Sequence, residues 1–121
     1  MARILYLSYD GLTDPLGQSQ ILPYLEGLSD RGHDITIISF EKPKPFSKLE
    51  KTIERRCIKH NLAWKPMEYT KNPPVLSTLK DLQRLEVEVN KLHAKEPFDL
   101  IHCRSYLTAL VALKLKRAVD I

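Results

Sequence analysis

The residues best suited to binding chemistry lie in two short segments, each of which follows an apolar run. The first segment contains Asp10, Gly11, Asp14, Gly17 and Gln18, and the second contains His102, Arg104 and Ser105. A glycine just before a helix lets an anion approach backbone amides, and a helix start leaves such amides free. Carboxylate, imidazole and guanidinium groups bind hydroxyls and phosphates. The two segments therefore predict a site for a phosphorylated or hydroxyl-rich ligand.

The spacing of these residues excludes the common phosphate-binding motifs. Neither the dinucleotide pattern GxGxxG nor the Walker pattern GxxxxGK[ST] is present. Two simpler interpretations stay open: that Gly11 and Gly17 serve only to form turns, and that His102 is a buried strand residue. Cys57 and Cys103 lack the spacing of zinc ligands, and we predict no metal site. We name no catalytic residue.

Elements that can position these segments follow from hydrophobic periodicity. Apolar runs at 4–8, 35–40, 62–69 and 98–102 predict buried parallel strands. Helical spacing predicts four helices, one beginning between 18 and 23 and ending at Gly32, a second at 47–60, a third between Pro73-Pro74 and Pro97, and a fourth at 106–116. The alternation predicts one α/β domain over 1–121, a three-layer, Rossmann-like, doubly wound parallel sheet. A further strand is expected to begin near 119, so the domain is expected to be incomplete at its carboxyl end.

Composition and charge limit the function classes. The 121 residues are 43% hydrophobic and 28% charged, which suits one packed domain. No apolar run approaches the roughly 20 residues that cross a bilayer, and no signal peptide is recognisable, so a cytoplasmic location is expected. Residues 41–71 hold nine Lys or Arg against four acids. Without a nucleic-acid recognition motif, we expect no nucleic-acid partner.

Part of this charge lies on the predicted second helix. The cations there are Lys48, Lys51, Arg55, Arg56 and Lys59. They form either a solvated face or a surface for an anionic membrane, which would place the protein at the inner face of the membrane.

The sequence also resembles a known family. The string Asp14-Pro15-Leu16-Gly17-Gln18-Ser19-Gln20, followed by Arg31-Gly32-His33-Asp34 before the second strand, resembles the amino-terminal domain of glycosyltransferase family 4. The run at 98–102 is similar to the family's fourth strand. The resemblance implies the amino-terminal, acceptor-side half of a GT-B fold, with strand order 3-2-1-4 and β1 central. It implies a retaining transfer from a nucleotide-sugar co-substrate, with no other cofactor.

The resemblance also assigns expected roles to individual residues. It implies that Gly11, Gly17 and Gln18 form the donor-phosphate loop. It implies that Asp10, Asp14, His102, Arg104 and Ser105 line the acceptor cleft, although many relatives carry a histidine where Arg104 stands. In the full-length enzyme, we expect Gly17→Val to reduce turnover strongly while leaving the fold nearly intact.

The resemblance also implies partners and an alternative. The expected partners are a carboxyl-terminal nucleotide-sugar-binding domain and a sugar or lipid-linked acceptor, so these residues alone are expected to be inactive. The alternative is a flavodoxin-like binding module for a phosphorylated small molecule or a protein partner.

Overall fold

Strands and helices alternate along the chain, as the sequence predicts. The computed structural model describes residues 2–70 and 74–118. The strands are β1 (Arg3–Ser8), β2 (Asp34–Glu41), β3 (Ala63–Glu68) and β4 (Leu100–Cys103). The helices are α1 (Leu22–Asp30), α2 (Pro43–Lys59), α3 (Pro74–Lys95) and α4 (Tyr106–Ala118), and a π-helical turn, Gly17–Ile21, precedes α1. The strand expected near 119 lies outside the described residues.

The four strands form one parallel sheet in the order β3-β2-β1-β4. This confirms the predicted order, with β1 between β2 and β4. The flavodoxin-like topology is wrong, because that order places the first strand between the second and the third. The carboxyl ends of β1 and β4 are therefore neighbours, at the point where the order of connections reverses.

Two hydrophobic clusters, one on each face of the sheet, confirm the three-layer arrangement. On one face Ile4 and Tyr6 of β1 pack with buried residues of α1 and α2. On the other face Leu5 and Leu7 pack with buried residues of α3 and α4. Successive side chains of a strand point to opposite faces, so an unbroken apolar run such as β1 supplies both clusters.

The start of the first regular helix is confirmed, because α1 begins at Leu22, within the predicted range of 18–23. The helical backbone that precedes it, from Pro15 through the π-helical turn, was not predicted. Within it, the amide of Leu22 donates to the carbonyl of Gly17, five residues back. Pro23 follows, and a proline inside a helix lacks a donor and clashes with the turn before it. A widened turn accommodates that clash, and the helix continues to Asp30.

Helix α2 has one buried face and one basic face. Ile53 and Cys57 are buried, whereas four of the five predicted cations are exposed, namely Lys48, Lys51, Arg55 and Lys59. The fifth, Arg56, departs from the prediction because its guanidinium makes two hydrogen bonds, of 2.7 and 3.0 Å, with Glu26 of α1. Arg56 therefore joins two helices. Among the described helices, none is long and apolar enough to cross a membrane.

A buried polar cluster joins α3 to the ends of β1 and β3. The fully buried carboxylate of Asp81 accepts hydrogen bonds from the Tyr9 hydroxyl at 2.9 Å, from the Arg84 guanidinium at 2.7 Å, and from the amide and hydroxyl of Thr70. Burial opposes ionisation of Asp81, but these hydrogen bonds outweigh it and lower its pKa. Burial, followed by the hydrogen bond to Asp81, raises the pKa of Tyr9 to about 12.

The raised pKa of Tyr9 predicts a stability loss in alkali. The neutral hydroxyl is favoured in the fold, so its contribution is complete below the ordinary pKa of 10.0 and is lost as the pH rises to about 12. We expect Tyr9→Phe to destabilise the protein at neutral pH and the gap from wild type to narrow between pH 10.0 and about 12. Urea unfolding at a series of pH values measures this gap. Tyr24→Phe is the control. A difference in stability between wild type and Tyr9→Phe that stays as constant with pH as the difference for Tyr24→Phe would contradict the prediction.

Candidate functional site

The loop after β1 is held in place by a single buried carboxylate at the end of β2. Glu41 is only 3% exposed. Its carboxylate accepts hydrogen bonds from the amides of Leu12 at 2.9 Å and Thr13 at 3.1 Å, from the Thr13 hydroxyl at 2.6 Å, and from the Ser39 hydroxyl. In a phosphate-binding loop, such amides donate to the ligand. Here the amides of Leu12 and Thr13 donate to Glu41 instead, so they are not free for a ligand.

Two residues predicted to bind ligand hold this loop together. The Asp14 carboxylate accepts a hydrogen bond from the Gly11 amide at 3.1 Å and lies 3.5 Å from Lys42 Nζ. The Gln18 side-chain amide donates to the Thr13 carbonyl at 3.0 Å. These contacts join parts of the loop to one another and to the start of α2, so they fix the conformation of the loop.

The absence of a side chain at Gly11 and Gly17 lets other parts of the chain pack closely against these two residues. A methyl group added at Gly17 would overlap the carbonyl oxygen of Gly11 and lie 2.7 Å from Leu12 Cα. A methyl group added at Gly11 would lie 2.5 Å from Glu41 Oε1. The expectation that a larger side chain at Gly17 leaves the fold intact is therefore wrong, because the backbone fills that space.

Polar groups from β1 and β4 converge where these strands end. We define the β1–β4 crevice by Asp10, Gln20, Tyr24, His102 and Arg104. Arg104 Nε lies 3.6 Å from Asp10 Oδ2, and its Nη2 donates to Gln20 Oε1 at 3.3 Å. The Asp10 side chain is 51% exposed and that of Arg104 is 28% exposed. The Asp10 carboxylate is thus half open to solvent, whereas Arg104 is mostly covered and its Nε is buried.

Aromatic rings form one wall of the crevice. The His102 ring centroid lies 4.8 Å from that of Tyr6 and 6.0 Å from that of Tyr24. Tyr6 is buried, whereas half of Tyr24 is exposed. Burial raises the pKa of the Tyr6 hydroxyl, and the nearby charge of Arg104 partly offsets this. His102 and Arg104 therefore lie on the same side of β4, beside Tyr6, as alternation along the strand predicts.

Ser105, the remaining predicted cleft residue, caps α4. Its hydroxyl accepts a hydrogen bond from the Thr108 amide at 3.3 Å, and the Thr108 hydroxyl donates to the Ser105 carbonyl at 2.8 Å. Serine is a preferred residue at a helix start because it satisfies such an amide. Ser105 thus fixes the turn that carries Arg104 from β4 into α4.

The chain matches no family model, no curated protein and no solved structure. Hydrogen-bond donors, a carboxylate acceptor and an exposed ring are the groups that bind a sugar. Among the described residues, no three His, Cys, Asp or Glu side chains are placed to hold a metal ion together.

The cysteines are unsuited to nucleophilic chemistry. Burial raises the pKa of Cys57 to about 11. Burial also raises the pKa of Cys103, with a smaller opposing effect from a hydrogen bond to Thr108. Both side chains are therefore neutral thiols near pH 7, and the reactive form of cysteine is the thiolate.

A separate cavity lies between α2 and β3, on the other side of Glu41 from these groups. It has a volume of about 440 Å³, and its lining comprises Glu41, Pro43, Phe46, Pro66, Met67 and Glu68, between α2 and β3. This lining is mostly apolar and its ionisable groups are both acidic. The β1–β4 crevice, by contrast, combines opposite charges from two loops, so we assign the candidate site to the crevice.

Sequence reasoning missed three residues that build the site. Glu41 stands directly after an apolar strand, and an acid at the end of the second strand is a recurrent feature of doubly wound sheets. Gln20 and Tyr24 lie four residues apart, a spacing that places them on one helix face. These signals were present, but which partners each side chain meets depends on the folded loop.

Proposed function

We propose that the chain is the amino-terminal, acceptor-side part of a retaining glycosyltransferase of GT-B fold with a nucleotide-sugar co-substrate. The observation that carries this proposal is the meeting of Asp10 and Gln20 with Arg104 at the carboxyl ends of β1 and β4. In doubly wound sheets, ligands bind at that reversal of strand order. The resemblance of residues 14–20 and 31–34 to glycosyltransferase family 4 points to the same class.

The proposed role of these residues is binding and orientation. Asp10 accepts a hydrogen bond from an acceptor hydroxyl, and the half-exposed Tyr24 ring packs against the sugar. The donor diphosphate lies at the helix start, where the amides of Leu16 and Gly17 precede the first helical hydrogen bond, from Gln18 to Asp14. A carboxyl-terminal domain supplies the remaining contacts to the nucleotide.

Release of nucleoside diphosphate tests the proposal. We expect the full-length protein to release it from one member of a nucleotide-sugar panel, and the isolated residues 1–121 to release none. Calorimetry should find these residues binding nucleotide sugars only at millimolar affinity, about −4 kcal/mol, because one side of a cleft offers few contacts. Micromolar binding by residues 1–121 would favour the alternative of a binding module for phosphorylated small molecules.

A matched pair of variants assigns that activity to the crevice. We expect Asp10→Asn to lower turnover by about tenfold or more, since a charged hydrogen-bond partner contributes roughly 1.5–3 kcal/mol. Asp30→Asn is the control, because among the described residues its exposed carboxylate forms an ion pair with His60 alone, just after α2. Equal turnover in both variants would remove Asp10 from the site.

We further propose that α2 attaches the protein to anionic lipid at the inner face of a cytoplasmic membrane. Lys48, Lys51 and Arg55 are exposed opposite the buried Ile53. Among the described residues, these three cations form no ion pair with an acid. Each Lys or Arg near an anionic surface contributes about 1 kcal/mol, so several together give reversible, salt-sensitive attachment.

Vesicle sedimentation tests this attachment. We expect the protein to sediment with phosphatidylglycerol vesicles at low salt and to remain in solution with phosphatidylcholine vesicles. Replacing Lys48, Lys51 and Arg55 with glutamine should abolish sedimentation. Replacing the exposed Lys80, Lys91 and Lys95 of α3 removes the same charge and should not. Equal effects of the two triple variants would show that only net charge matters.

A further inference from the structure

A groove runs between α2 and β3 at one edge of the sheet. In the described sheet β3 pairs with β2 alone and is therefore an edge strand. Two cavities, of about 440 and 220 Å³, lie between β3 and α2, and Pro66 lines both of them, so they form one groove. We define the α2–β3 groove by six of its lining residues, namely Glu50, Glu54 and Ile58 of α2 and Trp64, Pro66 and Glu68 of β3.

The groove presents apolar side chains to solvent. Trp64 and Phe46 are half-buried, and their ring centroids lie 6.0 Å apart. Ile58 is 68% exposed. Burial of such apolar area by a partner is favourable. Pro66 has no amide hydrogen, which disfavours extension of the sheet by a further strand, so a partner binds here through its side chains.

Three carboxylates line the groove without a cation beside them. Glu50, Glu54 and Glu68 form no ion pair among the described residues. Glu50 and Glu54 are four residues apart in α2, and two like charges at that spacing destabilise a helix. The basic face of α2 lies opposite its buried face and leaves these carboxylates unpaired. In a chain whose net charge is +4, the groove is therefore locally acidic.

We propose that the α2–β3 groove binds a basic segment of a partner protein, in which lysine or arginine side chains flank an apolar one. The cations pair with the three carboxylates, and the apolar side chain packs against Trp64 and Ile58. The groove follows α2 from Phe46 to Ile58, a length of about 18 Å at 1.5 Å per residue, which suits a peptide. This interaction is separate from the β1–β4 crevice and from sugar transfer.

Fluorescence of Trp64 tests the proposal, because it is the single tryptophan of the 121 residues and lies in the groove. The probes are tryptophan-free peptides of about twelve residues, matched to the length of the groove, that alternate lysine with leucine, glutamate with leucine, or lysine with serine. Spermine is the fourth probe. Each probe is titrated into the chain of 121 residues while the emission of Trp64 is recorded.

The charge and the apolar part of the probe should both matter. We expect the lysine–leucine peptide to bind at least about tenfold more tightly than the glutamate–leucine peptide, which the carboxylates repel. We expect the lysine–serine peptide and spermine to bind at least about threefold more weakly than the lysine–leucine peptide, because neither offers apolar area to bury. Added salt should weaken the binding, since these charges are near the surface.

A matched pair of double variants assigns the binding to the groove. Glu50→Gln with Glu54→Gln should weaken binding of the lysine–leucine peptide by about fivefold or more. Glu86→Gln with Glu88→Gln removes the same charge from α3 and should leave the affinity unchanged. Ile58→Ser should abolish the advantage of leucine over serine in the peptide. Thermal unfolding of each variant verifies that the compared proteins are folded.

Two kinds of result would overturn the proposal. Equal affinity for the lysine–leucine and glutamate–leucine peptides, or equal losses in the two double variants, would show that the groove carboxylates do not select a basic partner. Spermine binding as tightly as the lysine–leucine peptide would identify a site for small cations and exclude a protein segment as its specific partner. Release of nucleoside diphosphate is not measured in these titrations, so the inference and the proposed function fail separately.

Discussion

Glu41→Ala should lower the free energy of unfolding by about 2–6 kcal/mol, the cost of leaving two buried backbone amides unpaired. The substitution leaves the amides of Leu12 and Thr13 buried without an acceptor, and each such group costs roughly 1–3 kcal/mol. It also frees the loop that carries Asp10. Urea unfolding monitored by circular dichroism measures the loss.

Glu68→Ala is the matched control for this prediction. Glu68 lies opposite Glu41 in the register of β2 and β3, but its side chain is exposed. We expect its substitution to change stability by about 0.5 kcal/mol or less, as for most surface positions. Glu41→Gln keeps the size and one carbonyl oxygen, so its loss should be intermediate. Similar losses in Glu41→Ala and Glu68→Ala would refute the loop-holding role of Glu41.

Gly17→Ala and Gly27→Ala should change stability in opposite directions. At Gly17 the added methyl group overlaps the carbonyl oxygen of Gly11, so the loop must shift at a cost of about 1–3 kcal/mol. At Gly27 an added methyl group meets nothing within 4 Å, inside α1. Alanine is a better helix former than glycine by roughly 1 kcal/mol, so Gly27→Ala should stabilise the protein.

Thermal unfolding of the two variants side by side measures both effects. The pair controls for the general effect of replacing glycine, since only the surroundings of the two positions differ. A Gly17→Ala protein as stable as wild type would mean that the loop does not approach itself as closely as described. Its turnover is informative only if the variant is folded.

Much of the fold could be predicted from apolar patterning. The run at 4–8 identifies a strand that is buried on both faces, and such a strand belongs in the middle of a parallel sheet. Helix starts were harder to predict. Pro23 indicated that regular helix begins near it, and α1 does begin at Leu22, but the π-helical turn and the helical backbone back to Pro15 were not predicted. Helix α2 begins at Pro43, four residues before the predicted start.

The site was less predictable because its geometry depends on contacts between distant residues. The residue types in the two segments indicated the edge of the sheet where β1 and β4 end, and the structure brings Asp10 and Arg104 together there. They did not indicate that Asp14 and Gln18 hold the loop internally, since a carboxylate or an amide binds a ligand or a neighbouring backbone equally well. Glu41 at the end of β2 binds Leu12 and Thr13 of the loop after β1, which are distant from it in sequence, so no local pattern encodes this contact.

The central claim is that nucleotide sugars bind where β1 and β4 end, at the helix start beside the β1–β4 crevice. Amide chemical shifts of residues 1–121, labelled with ¹⁵N and titrated with uridine diphosphate glucose and guanosine diphosphate mannose, test it directly even at millimolar affinity. We expect the largest shifts at Asp10, Gly17 and Arg104, with little change at Leu12, whose amide Glu41 already engages. Shifts concentrated at the cavity between α2 and β3, with Asp10 and Arg104 unaffected, would contradict the account.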